Sequence, residues 1–146
     1  MTPRLCEHRL SDVAFLERDS IVAGLSHKEK VLNVYDTLLA PKHSVVMSFR
    51  NGPGGNMMQV CPDANKILCL NSKPGHVAEY DLRKENEAVR TKQLTREEIT
   101  AVTVSPDQRS LVVGQADGLI KIFDLAELLA TSNADNGSSR DSITVV

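Results

Sequence analysis

Cys61 and Cys69, together with His8, His27, His43 and His76, are among the side chains of this sequence that could ligate a metal ion. Zinc sites need two to four such ligands at short, defined spacing. The two cysteines stand eight residues apart with no second pair, and the histidines are scattered. Small buried thiols and surface imidazoles fit that spacing better than a metal site does. Gly52-Pro-Gly-Gly55 has the look of a phosphate cradle. Such a cradle works by aiming the N-terminus of a following helix at the anion, whereas residues 57 to 61 read as a strand. Acid–base work asks for carboxylates held apart from water, but Glu97 and Glu98 sit in the charged run Thr-Arg-Glu-Glu. No serine has the strand–turn–helix setting of a nucleophile elbow. An enzyme reading finds no support, and no cofactor is expected.

Three aromatic–Asp dipeptides remain: Tyr35-Asp36, Tyr80-Asp81 and Phe123-Asp124, their aspartates 45 and 43 residues apart. The elements that would position them share one plan. Around the last, Ile99, Ala101 and Thr103 alternate with Thr100, Val102 and Val104 in a β-branched run, which is strand periodicity. Ser105-Pro-Asp-Gln108 is a turn with proline presetting φ. Residues 110 to 115 form a second apolar run, Asp117-Gly118 is a hairpin signal, and residues 119 to 125 alternate again up to the dipeptide. Cys61-Pro62-Asp63 and Pro74-Gly75 repeat this order one period earlier. A period of about 40–45 residues, four strands per unit and an aromatic–Asp ending are the signature of the WD-repeat propeller.

The expectation is therefore an all-β chain, a partial WD40 β-propeller of about three four-stranded antiparallel blades with an irregular C-terminal tail. Residues 1–9 read as an irregular N-terminal segment, 10–50 as blade 1, 51–94 as blade 2 and 95–125 as the first three strands of blade 3. Residues 126–146 break the pattern: 126–130 fit a helical turn or a strand, 131–141 a polar flexible loop, and 142–146 either a fourth strand or a terminal ligand for a carboxylate-capturing domain. Each aromatic is expected to fill space between blades, and each Asp to bond local backbone at a strand end. The His–Ser–Asp–Trp hydrogen-bond tetrad of many WD blades is largely missing, so apolar packing is expected to hold these blades. Three blades are fewer than the four to eight that close a propeller. An open arc is expected, one that is marginal, self-associates or depends on further sequence.

The 146 residues carry 17 basic and 19 acidic side chains, a net charge of −2. A nucleic-acid binder would show a basic surplus, so none is expected. Apolar residues make up 41% and aromatics 3%, so Val, Leu, Ile, Ala and Met must form the core. No apolar run approaches the ~20 residues of a membrane span, and the N-terminus lacks an apolar signal segment. Three cysteines make an odd count, which fits reduced thiols in a cytoplasmic protein and an unglycosylated Asn136. What such a chain offers is surface. In a propeller, the turns between second and third strands and the links between blades line one rim. Here that rim would carry His27, Lys28, Glu29, Arg50, Lys73, Arg96 and Asp117. Loops on a rigid scaffold suit binding to other proteins, although no aromatic or Arg cluster singles out one patch.

Ser11-Asp-Val-Ala-Phe15, Ile21-Val-Ala, Val34-Tyr-Asp-Thr-Leu-Leu-Ala-Pro41 and Ser44-Val-Val-Met-Ser-Phe49 resemble the C-terminal repeats of the DmX-like proteins, also called rabconnectin-3. The Asp-Thr-Leu-Leu run is the most specific piece, and the resemblance continues in register over residues 8 to 125. Pro74 departs from the usual turn residue, and residues 126–146 do not match the further repeat of family members. The resemblance implies a large cytosolic scaffold associated with the vesicular proton pump, one that promotes assembly of the pump's sectors and so acidification. It also implies vacuolar-type pump subunits and Rab-regulator proteins as partners and a peripheral place on vesicles or endosomes. It carries over no catalytic residue. A generic WD40 adaptor of another trafficking or ubiquitin-ligase complex is the alternative.

Overall fold

The computed structural model describes residues 9–61, 65–85, 89–130 and 143–145. Residues 1–8 of the irregular segment, the Pro62-Asp63-Ala64 turn and the loop assigned to 131–141 lie outside the described residues. The strands are β1 (Asp12–Phe15), β2 (Ile21–Ser26), β3 (Val31–Asp36), β4 (Val45–Phe49), β5 (Met57–Cys61), β6 (Lys66–Leu70), β7 (His76–Asp81), β8 (Arg90–Gln93), β9 (Ile99–Val104), β10 (Ser110–Gln115), β11 (Ile120–Asp124) and β12 (Ile143–Val145). They form three four-stranded antiparallel sheets in sequence order: β1–β4, β5–β8 and β9–β12. Each sheet is one blade. The fourth strand of the third comes from beyond residue 142, pairing Ile143 with Ile122 and Val145 with Ile120.

Local chemistry explains where the strands stop. In the Ser-Pro-Asp turn, Asp107 accepts from the Ser105 hydroxyl and from the Arg109 N–H, while Ser110 N–H donates back to Ser105 Oγ. After β11 the chain turns into a short helix, α1 (Leu125–Ala130). Asp124 Oδ1 accepts the Glu127 N–H at 3.0 Å, an N-cap bond that ends the strand and starts the helix in one residue. Proline accounts for the break before β4, where Pro41–His43 form one 3-10 turn.

Strand alternation sends successive side chains to opposite faces, and in the middle blade both faces are apolar. Ile67, Cys69, Ala78 and Tyr80 join Ala23, Leu25, Leu32 and Phe49 of blade 1 in one cluster. Leu68, Leu70, Val77 and Cys61 join Leu111, Val113 and Phe123 of blade 3, with Leu125 and Leu128 of α1, in the other. The two cysteines singled out above thus lie on opposite faces of one hairpin, and both are buried free thiols. Burial holds the Cys61 thiol up at about 11 and raises Cys69 further.

Candidate functional site

Tyr35, Tyr80 and Phe123 occupy the same place, one residue before the ends of β3, β7 and β11, and all three are buried. Tyr80 meets Phe49 of blade 1 edge-on, with ring centroids 5.3 Å apart. Phe123 lies in the cluster shared with blade 2. Each of these two rings therefore points at the preceding blade. Tyr35 is paired with Val22 on the face of blade 1 turned away from blade 2, and its hydroxyl accepts from the Asn33 amide, whose carbonyl oxygen accepts from Ser48. The aspartates bond locally. Asp36 accepts the Leu38 N–H, and Asp124 caps α1. Asp81 accepts the Arg83 N–H and both arms of its guanidinium. The Arg83 hydrogen bonds hold the Asp81 carboxyl below its usual range.

The rim residues divide into two groups. Lys28, Arg50, Lys73, Arg96 and Asp117 are exposed. They lie on the β2–β3, β6–β7 and β10–β11 turns and on the blade-to-blade links, all on one edge of the three sheets. Asp117 also accepts the Leu119 N–H in its own turn. His27 is taken up by structure: its Nδ1 accepts the Gly55 N–H at 3.0 Å, and its own N–H donates to Ser11 Oγ. Lys30 reaches across the same joint to the Pro53 carbonyl. The glycine-rich link from 51 to 56 joins β4 to β5, and no helix follows it.

Asn71 is the residue that the sequence reading missed. It is buried, with a left-handed φ of +63°. Its side-chain oxygen accepts the N–H groups of Ile99 (3.0 Å) and Gly75 (3.2 Å), and its amide donates to the Ile99 carbonyl and to Asn56. One side chain thereby ties the β6–β7 turn to both neighbouring links. The joint between blades 2 and 3 is thus bonded as well as packed. The signal available was an Asn directly after a strand and before a Pro-Gly turn, a place that favours a left-handed residue.

The Gln115 amide nitrogen is buried without a hydrogen-bond partner among the described residues. The Tyr80 hydroxyl is turned toward the link, where a Cβ added at Gly52 would come within 2.6 Å of it. Burial raises its pKa well above the usual tyrosine range. Among the described residues no group of three or more His, Cys, Asp or Glu side chains is placed to hold a metal ion.

No family model matches the chain. It is similar to DmX-like protein 1 of Mus musculus, 27% identical over 138 residues, which is 91% of this chain and 4% of that protein. It is also similar to DmX-like protein 1 of Homo sapiens, 28% identical over 121 residues, 80% of this chain and again 4% of the relative. The chain spans about one twenty-fifth of the length of these curated relatives. Their name is the one that the residues around Asp36 to Pro41 had indicated. Among solved structures it is similar to Chaetomium thermophilum Raptor, TM-score 0.66 at 16% identity over 83% of this chain and 11% of that one. The C-terminal WD40 domain of Sif2 gives 0.63 at 16% identity over 86% and 34%. The fold is all-β, three blades of a WD40 propeller.

Proposed function

We propose that this chain, homologous over most of its length to DmX-like proteins, is a non-catalytic interaction module: a WD40 scaffold surface serving the assembly of a vacuolar-type proton pump on vesicle or endosomal membranes. The observation that carries this is the similarity to DmX-like protein 1 over 91% of the chain. The exposed rim residues Lys28, Arg50, Lys73, Arg96 and Asp117 are the contact surface in this reading. They sit on turns anchored by strand ladders, so a partner meets them already ordered, without a large entropic cost on binding. Pump subunits and Rab-regulator proteins are the partners that follow. Among the described residues no helix is long and apolar enough to cross a membrane, and a peripheral place through a partner fits that.

Affinity capture on the immobilised chain tests the reading. Pump subunits are expected in the bound fraction from a membrane-containing lysate, and Lys28→Glu with Lys73→Glu is expected to reduce their capture. A bound fraction lacking pump subunits overturns the pump assignment.

A further inference from the structure

The chain enters blades 2 and 3 in the same way, and each entry is held at one backbone amide. Ile67 and Leu111 face Tyr80 and Phe123, so blades 2 and 3 are in register there. By that register Met58, paired with Cys69, is equivalent to Val102, paired with Val113. Three residues before them stand Gly55 and Ile99. Each donates its N–H to a side chain of the preceding blade: Ile99 to Asn71 Oδ1 at 3.0 Å, Gly55 to His27 Nδ1 at 3.0 Å. The acceptors differ in kind. The amide oxygen of Asn71 does not titrate near neutrality, whereas an imidazole nitrogen accepts only while it carries no proton.

A backbone N–H can only donate, so this bond fixes the state of the ring. His27 is neutral, with its proton on Nε2 and the Nδ1 lone pair aimed at Gly55. A second proton must go to Nδ1, where it would point a donor at a donor. It would also set a positive charge close to Lys30: a Cβ added at Gly54 would meet His27 Nδ1 at 3.0 Å and Lys30 Nζ at 3.2 Å. The other charged neighbours are Lys28 and Glu29 of the same turn and Arg50 before the link, all exposed. On β1, Ser11 Oγ accepts the His27 backbone N–H, and the adjoining Asp12 carboxylate is committed to the N–H groups of Val13 and Met58. Residues 51–56 carry no titratable side chain.

What the bond holds has little stiffness of its own. Gly54 and Gly55 have φ of +85° and +149°, values that glycine adopts freely and leaves as freely. The link is tied down by Gly52 N–H to the Lys30 carbonyl, Lys30 Nζ to the Pro53 carbonyl, Gly55 N–H to His27 and Asn56 N–H to the Leu70 carbonyl. Of these ties, only the one to His27 depends on a group that changes charge between about pH 5 and 8.

We propose that His27 is a proton-operated latch on the joint between blades 1 and 2. Neutral, it pins the β4–β5 link to the β2–β3 turn. Protonated, it lets go of Gly55, and this part of the rim loosens while the Asn71 joint between blades 2 and 3 stays closed. The bond is complete above the histidine range and is lost as pH falls through it.

Amide hydrogen exchange on the full chain, followed by NMR, tests this with Ile99 as the internal reference. Corrected for the intrinsic exchange rate, the protection of Gly55 relative to Ile99 is expected to fall about tenfold from about pH 8 to about pH 5. The side-chain nitrogen shifts of His27 should show the Nε2–H tautomer at the upper pH and both nitrogens protonated at the lower. His27→Asn puts an oxygen that does not titrate where Nδ1 stands, so Gly55 should stay protected at both pH values. A Gly55-to-Ile99 ratio that does not change with pH, a proton on Nδ1 at the upper pH, or a folded His27→Asn chain with the wild-type pH dependence overturns the proposal. The wild-type exchange ratio decides by itself if that variant does not fold. None of these outcomes bears on which partner the rim captures.

Discussion

The second blade and the blades on either side of it follow the same four-stranded plan, but water reaches them differently. Blade 2 buries both faces of its sheet, so after Lys66 the strand β6 reads Ile-Leu-Cys-Leu with no polar alternation, the pattern of a strand covered on both sides. Blade 1 buries one face and shows Val13 and Phe15 on the other; blade 3 shows Ile120. The difference extends to the turns. Gly75 and Gly118 are equivalent, both left-handed, with φ of +77° and +90°. A Cβ at Gly75 would come within 2.2 Å of the Thr95 carbonyl oxygen, while one at Gly118 would meet nothing within 4 Å. A blade's rigidity here comes from its neighbour as much as from its own ladder.

Substitutions at that pair give the largest expected contrast. Gly75→Ala adds a backbone clash to an unfavourable φ and should cost about 3 kcal/mol or more. Gly118→Ala bears only the φ penalty, about 1–2 kcal/mol. Equal losses in chemical denaturation would show that the neighbouring link yields and that the comparison is wrong. Next in size is the contrast between Asn71 and Gln115. Asn71→Ala strands the backbone groups of Ile99 and should cost about 2–3 kcal/mol. Gln115→Leu removes an amide nitrogen with no partner among the described residues and should be neutral within about 0.5 kcal/mol.

Labelling the thiols sharpens the comparison from inside blade 2. Cys61 is held as thiol up to about 11 and Cys69 beyond that, in both cases chiefly by burial. Since the thiolate is the reactive form, both should resist iodoacetamide at neutral pH in the folded chain and react once it is unfolded, as peptide mass spectrometry would record. Rapid labelling of Cys69 in the native state would mean that the joint with blade 1 opens readily. The smallest effect is acid loss at the surface. Asp81 titrates below its unfolded value because Arg83 bonds its charged form. Its contribution is therefore complete above pH about 4 and disappears as pH falls through the lower folded value, and it is small because the Arg83 partner is largely open to water. Asp81→Asn should flatten that part of the stability profile and leave the neutral-pH value nearly unchanged.

Much of the fold was legible because its signals are local. Alternation over four to six residues, Ser-Pro-Asp and Asp-Gly turns, and three aromatic–Asp endings at a steady interval need no knowledge of distant contacts. The joints were not legible, because their bonds join residues such as Asn71 and Ile99 that lie 28 positions apart. Nothing in the residue Asn distinguishes a turn former from a clasp until the next blade is in place. A His–Ser–Asp–Trp tetrad is one solution to the joint, and the chain uses His27 and Asn71 in other ways. The rim residues were placed by topology alone. Which of them would be consumed by structure depended on the path of the 50–56 link, which its glycines leave undetermined in sequence.

The order of strands in each sheet also has a kinetic consequence. In the first two blades every ladder joins consecutive strands across short turns, so little chain entropy is lost in closing them, and each can form as soon as its own residues leave the ribosome. The third blade must wait. Its outer strand arrives only after α1 and the stretch to residue 142, and until β12 docks, β11 is an unpaired edge open to whatever strand reaches it first.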